Sequence, residues 1–359
     1  MQPLAGKVAV VAGATRGAGR GIACMLGEAG ATVYCTGRSV RGKPSTKGRP
    51  ETTDETAEMV TAHGGTGIAV QADHTQSGQV QRLFERVAAE QGRLDVLVNN
   101  VNGDDLVSWG KSFWQESLDT GFRMLERGVH SHLITTHAAL PLMLRSGGRL
   151  IAGITDLGYP TFYYGLEKKS VMAMAELLAA ELRPHGIAAV AVAPGFLRSE
   201  AMLERFGVTE ANWRDAVKTD PYFGGSETPF YVGRAVAALA ADPKLILKTG
   251  KVLTSWNLAD EYGFTDVDGE RPHWERFCTP RIDERWVKIV QRTRAEFKKQ
   301  GVDSLIEDDR ASLTLRARLS RNGEPPRWFS QELSWPEVIH GNPKNLAAEL
   351  YAHYALARG

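Results

Sequence analysis

From the N-terminus to about residue 260, short apolar runs alternate with segments of helical period, the signature of a parallel, doubly wound α/β sheet. Strands are expected at Lys7–Ala12, Thr32–Thr36, Gly67–Gln71, Leu94–Asn99, Arg149–Ile154, Ala188–Ala193 and Lys251–Ser255. Most are near-continuous Val, Ile, Leu and Ala, as strands buried on both faces should be. Helices are expected at Gly19–Glu28, Glu51–Ala62, Gly78–Glu90, Gly121–Leu144, Tyr163–Arg183 and Phe230–Ala241. The pattern therefore specifies a Rossmann-type sheet of about seven strands with helices on both faces.

Two stretches interrupt this rhythm, each after the carboxyl end of an expected strand, where α/β sheets bind ligands. Asn102–Thr120 carries Trp109, Phe113 and Trp114 among polar residues, and Gly195–Thr228 carries Phe206, Trp213, Tyr222 and Phe223. Beyond Tyr262 the chain becomes more charged and holds Trp274, Trp286, Trp328 and Trp335. Ile282–Gln300 and Leu346–Ala357 read as amphipathic helices, and Arg321–Arg327 reads as a turn or linker. The expected organisation is a catalytic domain over residues 1–263 and a mostly helical extension over 264–359, acting as a lid or an oligomer-contact arm.

Composition narrows the class. With 43% apolar and 24% charged residues, the chain matches an ordinary globular enzyme. A formal charge of +1 gives no basic excess for nucleic acid or a membrane surface. No apolar run approaches the roughly 20 residues that span a bilayer, and no signal peptide is indicated, so a cytoplasmic location is expected. The cysteines, Cys24, Cys35 and Cys278, form no CxxC pair, and the scattered histidines imply no metal site.

The chemistry begins at Ala12-Gly13-Ala14-Thr15-Arg16-Gly17-Ala18-Gly19, directly after the first strand. Glycines 13, 17 and 19 permit a tight turn and let a diphosphate approach a helix N-terminus. At the end of the second strand stands Thr36-Gly37-Arg38-Ser39, with no acid to bind a ribose 2′-hydroxyl. Arg38 and Arg16 suit a 2′-phosphate clamp, which points to NADP(H). A solvated basic loop is the other reading of Arg38, and the stronger one for Lys43, Lys47 and Arg49.

Together with Asn99-Asn100-Val101-Asn102, Tyr164-Gly165-Leu166-Glu167-Lys168 and Pro194-Gly195, the glycine pattern resembles the short-chain dehydrogenase/reductase (SDR) family from about Leu4 to Tyr262. Asp105–His132, with Leu258–Gly263 and Asp266–Gly269, is similar to its SDR family member 1 subgroup. The resemblance implies that Tyr164 transfers a proton while Lys168 supports it and holds the nicotinamide ribose. Spacing agrees, because residues four apart share a helix face, and a phenol with a pKa near 10 needs a nearby cation to be useful at neutral pH. Tyr163 is the rival, but its partner four residues on is Glu167.

The resemblance further implies that Asp73 meets the adenine amino group, that Asn99 steadies strands and cofactor, and that Pro194, Gly195 and Ser199 contact the carboxamide. Departures are equally visible. Thr155 stands where the family has a Ser, in a segment shortened before Tyr164, and is taken as the third catalytic residue; Asp156 is the alternative acid/base group. Gly128 replaces a helix Asn that holds a relay water. His130 and His132 are read as helix-face residues rather than relay members. Asn102 occupies a usual glycine position.

Trp109, Trp114, Phe196 and Asp156 are the pocket candidates, about half of all such aromatics being plain core. They suggest a bulky, partly apolar ketone, aldehyde or imine, or the corresponding alcohol, as small-molecule substrate. A homodimer or homotetramer is expected. The competing reading is an NADP-binding SDR fold with lost or non-redox activity.

Overall fold

In the computed structural model the described residues are 2–45, 48–108, 110–158, 161–299, 303–309, 314–320, 327–333, 347–348 and 351–352. The chain divides into two compact units, Met1–Trp274 and Glu275–Gly359.

The first unit is built on seven strands: β1 (Val8–Ala12), β2 (Thr32–Gly37), β3 (Thr66–Gln71), β4 (Val96–Asn99), β5 (Leu150–Ile154), β6 (Ala188–Ala193) and β7 (Val252–Thr254). They pair in parallel in the order β3-β2-β1-β4-β5-β6-β7. Strand alternation divides two cores. Ala9, Val11, Val33 and Val98 face one side with Ile22 and Val236, while Val8, Val10, Tyr34 and Leu97 face the other with Phe84 and Met143. Both faces are therefore covered, as the unbroken apolar strands require.

The helices are α1 (Gly17–Glu28), α2 (Thr53–Ala62), α3 (Ser77–Gln91), α4 (Leu118–Leu125), α5 (Ser131–Ser146), α6 (Phe162–Leu182), α7 (Glu200–Phe206), α8 (Pro229–Ala241) and α9 (Ser255–Tyr262). Glycine lets α1 and α8 touch backbone to backbone: a Cβ on Gly21 would lie 2.0 Å from the Pro229 carbonyl oxygen. The single helix expected over Gly121–Leu144 is divided. A π turn, Glu126–His130, joins α4 to α5 and buries Gly128.

The strand order reverses beside β1, between it and β4, and the glycine turn and Asn99 meet at this switch point, where open α/β sheets bind ligands.

Helix α10 (Trp274–Lys299) starts on the last residue of the first unit, lies otherwise in the second, and contains most of the helix expected at Ile282–Gln300. Three antiparallel strands that the sequence did not announce follow, β8 (Asp303–Asp309), β9 (Thr314–Ser320) and β10 (Arg327–Glu332), in the order β10-β9-β8. Most of the expected turn at Arg321–Arg327 and of the helix at Leu346–Ala357 lies outside the described residues.

Candidate active site

Tyr164 and Lys168 lie one turn apart near the start of α6, both buried. The Lys168 ammonium is 4.9 Å from the Tyr164 ring centroid. It also meets two carboxylates, Asp104 Oδ1 and Glu167 Oε1, each at 3.1 Å. Despite burial, which opposes it, the charges of Asp104, Glu167 and Asp156 hold the ammonium above its usual range. Tyr163 is excluded from this group by packing. A Cβ on Gly121 would lie 2.2 Å from its ring, so the glycine seats that ring against α4.

The Tyr164 hydroxyl donates to Asp156 Oδ2 at 2.6 Å. Burial first, then the charges of Asp156 and Asp104, raise the phenol well above its ordinary range. The acidic surroundings thus reverse the lowering expected from lysine alone, and Tyr164 is held protonated at neutral pH.

Thr155 is tied to the backbone on both sides. Its backbone N–H donates to the Val192 carbonyl at 3.0 Å, and its hydroxyl donates to the Lys168 carbonyl at 2.9 Å. The hydroxyl ties β5 to α6, because the side chain of a strand-end residue points opposite to its neighbour's. Asp156, the next residue, is the one brought to the phenol.

At the switch point, Gly13 adopts φ +83°, and a Cβ there would approach the Asn100 carbonyl carbon to 2.9 Å. Gly19 permits contact with the Gly13 carbonyl oxygen, 2.0 Å from its notional Cβ. Gly17 opens α1, preceded by Arg16 and by Thr15, whose methyl packs toward Gly37. The Gly17 N–H donates to Glu200 Oε2 at 2.8 Å, so a carboxylate already occupies an anion position at this helix N-terminus. Arg38 follows β2, and its carbonyl accepts from Gln71 at 3.0 Å. Arg41 and Arg49 are committed to ion pairs with Glu58 and Glu51, whereas Arg16 and Arg38 have none among the described residues. Lys47 lies outside the described residues.

Asp73 accepts from the backbone N–H and hydroxyl of Thr75 at 3.0 and 2.8 Å, closing the turn before α3. Asn99 donates to Thr136 at 2.9 Å, and its buried Oδ1 has no partner among the described residues. After β6, Pro194 leads to Gly195, whose N–H donates to Glu227 Oε2 at 2.9 Å. Burial pushes the Glu227 carboxyl up to about 8. Ser199 caps α7 by accepting from the Met202 N–H at 3.4 Å.

The pocket candidates separate. Trp109 lies outside the described residues. Trp114 is 81% exposed, next to Phe113, whose ring packs tilted against that of Phe162 with centroids 4.3 Å apart. Phe196 packs edge-on against Phe223 and Trp274 at 5.2 and 5.9 Å, an aromatic cluster with Trp213. His132 is buried against the Val101 carbonyl at 2.9 Å, and His130 is exposed.

Sequence reasoning missed Asp104, Glu200 and Glu227, and it used Glu167 only to set Tyr163 aside. The legible signal was Gly128, which lies against Glu167 but in the sequence reads only as the replacement of a relay Asn.

A doubly wound parallel sheet with a glycine turn at its switch point, and a Tyr–Lys pair one helical turn apart, defines a nucleotide-binding oxidoreductase class. A family model described as short chain dehydrogenase matches residues 7–207. The chain belongs to the short-chain dehydrogenase/reductase family, whose members use a nicotinamide cofactor, NAD or NADP. It is 37% identical over 277 residues to the mouse protein "Dehydrogenase/reductase SDR family member 1", covering 74% of this chain and 85% of the relative. The 7alpha-hydroxysteroid dehydrogenase of Clostridium sardiniense is 31% identical over 209 residues, 57% of this chain and 76% of that one. The fold also matches a short chain dehydrogenase from Mycobacterium thermoresistibile, with TM-score 0.62 at 22% identity over 74% of this chain and 90% of the other. No helix among the described residues is long and apolar enough to cross a membrane.

Proposed function

We propose that this chain is an NADP(H)-dependent reductase of a bulky, partly apolar ketone, aldehyde or imine, or catalyses the reverse alcohol oxidation, with Tyr164 as proton donor. The observation that carries the reading is the buried Tyr164 hydroxyl, held by Asp156 at 2.6 Å with the Lys168 ammonium over its ring. A neutral phenol in that setting gives its proton to a substrate oxygen or nitrogen, and Lys168 offsets the charge that develops.

The residues present fit a dinucleotide. The Gly17 N–H already binds a carboxylate, and the turn at Gly13 and Gly19 has no room for a Cβ. Gly13, Gly17 and Gly19, with Thr15, would hold the diphosphate; Asp73 would meet the adenine; Asn99, Pro194, Gly195 and Ser199 would face the nicotinamide end, and Lys168 its ribose. When bound, the cofactor supplies or accepts the hydride. Arg16 and Arg38, lacking carboxylate partners among the described residues, support binding of a 2′-phosphate.

The exposed Trp114 and the tilted Phe113–Phe162 pair support an apolar substrate, in line with a hydroxysteroid dehydrogenase among the relatives. Exposed Leu118, Phe122 and Leu133 on α4 and α5 support a homodimer or homotetramer. A second reading, an NADP-binding protein with lost or non-redox activity, draws on the raised phenol and its carboxylate partner.

NADPH consumption with a panel of bulky ketones, aldehydes and imines, run against NADH, tests the reading. Arg38→Asp should weaken NADPH binding far more than NADH binding. Equal losses would refute the 2′-phosphate role, and no turnover with any panel member would favour the second reading.

A further inference from the structure

Glu167 is 1% exposed on α6, beside Lys168. An isolated carboxylate in such a place is strongly disfavoured by its lost hydration, so its position depends on its partners. One oxygen meets the Lys168 ammonium at 3.1 Å, and the other accepts the Gly103 N–H at 3.3 Å. The space comes from across the helix packing. A Cβ built on Gly128 would lie 2.0 Å from Glu167 Cδ and 2.5 Å from Oε1, closer than atoms approach.

Gly128 is not required by its own backbone. It lies in the π turn, outside the positive-φ region that favours glycine. Contact with Glu167 is what forbids a side chain there. Of the two carboxylates on the ammonium, Asp104 is 46% exposed and screened by water, while Glu167 is enclosed. Glu167 is therefore the lasting partner.

We propose that Glu167 is a positioning residue for Lys168: its carboxylate, admitted by Gly128, fixes the ammonium against Tyr164 and sets the field in which the phenol exchanges its proton. The functional half of this inference rests on Tyr164 being the proton donor. The charged and titratable groups facing the ammonium are Asp104 after β4, His132 on α5, Asp156 after β5, and Tyr164 and Glu167 on α6. Glu167→Gln keeps the shape and removes one anion. Lys168 then loses its proton at lower pH, and so does Tyr164.

The test uses full-length protein with lysine labelled with carbon-13 at Cε, the Lys168 signal being assigned with Lys168→Arg. Glu167→Gln is expected to move the Lys168 titration down and the alkaline limb of turnover down with it. Gly128→Ala should do the same by displacing the carboxylate, yet add nothing in a Glu167→Ala background, where the space is open. An unmoved Lys168 signal in folded Glu167→Gln overturns the proposal, and that variant decides the matter if Gly128→Ala does not fold. Full turnover by Tyr164→Phe with a Lys168 signal that still moves would end the proton-donor reading and leave the Glu167–Lys168 link standing.

Discussion

The phenolic oxygen of Tyr164 and the Asp156 carboxylate stand 2.6 Å apart, the phenol donating. Among the charges that raise the phenol, Asp156 is the largest, after burial itself. A proton donor works below its own pKa, so reductase activity should fall as pH rises through that of Tyr164. In Asp156→Asn the anion is gone and the phenol ionises at lower pH. The alkaline limb of the pH–rate profile should therefore move down; an upward move or an unchanged limb would count against the assignment.

Thr155 is expected to matter for stability rather than turnover. Its hydroxyl is buried and spent on the Lys168 carbonyl. Thr155→Val should cost about 1 kcal/mol in urea unfolding. Turnover should stay within roughly twofold of wild type, far from the factor of about a hundred or more that a lost proton-transfer partner produces.

Glu200 competes with the anion expected at α1. Its carboxylate accepts the Gly17 N–H at 2.8 Å and lies 3.5 Å from Arg20. A charge at a helix N-terminus contributes about 1 kcal/mol, so Glu200→Gln should tighten NADPH binding about fivefold in a fluorescence titration. Weaker binding would instead make Glu200 a contact that the cofactor needs.

His74 and His132 predict acid sensitivity. Burial lowers both to about 4. His74 is locked between the Thr36 and Thr135 hydroxyls at 2.8 Å each. In the unfolded chain both titrate near 6.5, so unfolding takes up protons between about pH 6.5 and 4. Their contribution is complete above that window and is lost as pH falls through it, on the order of 3 kcal/mol for each histidine. Urea midpoints measured across the window should show this loss, and His74→Gln should remove about half of it, leaving the share of His132.

Much of the fold was legible because its signals are local. Val8–Ala12 and Ala188–Ala193 are apolar runs that only a doubly covered sheet explains, and the glycine turn announces itself by spacing. The π turn was not legible, since a helical period cannot show one inserted residue. At the site, Tyr164 and Lys168 are i, i+4 partners, so the helix alone brings them together. Asp104, after β4, and Glu200, at the start of α7, meet partners far away in sequence, and no local pattern encodes those distances. Thr155 and Asp156, neighbours at a strand end, point opposite ways. Which of them faces the phenol depends on a register that motif alignment does not carry.

The most direct measurement is NADPH oxidation by wild type and Tyr164→Phe with the same carbonyl substrate, beside NADPH affinity for each. Tyr164→Phe should bind NADPH as wild type does and lose turnover by about 10²–10⁴. Oxidation surviving within about tenfold of wild type, with binding intact, would contradict Tyr164 as the proton donor.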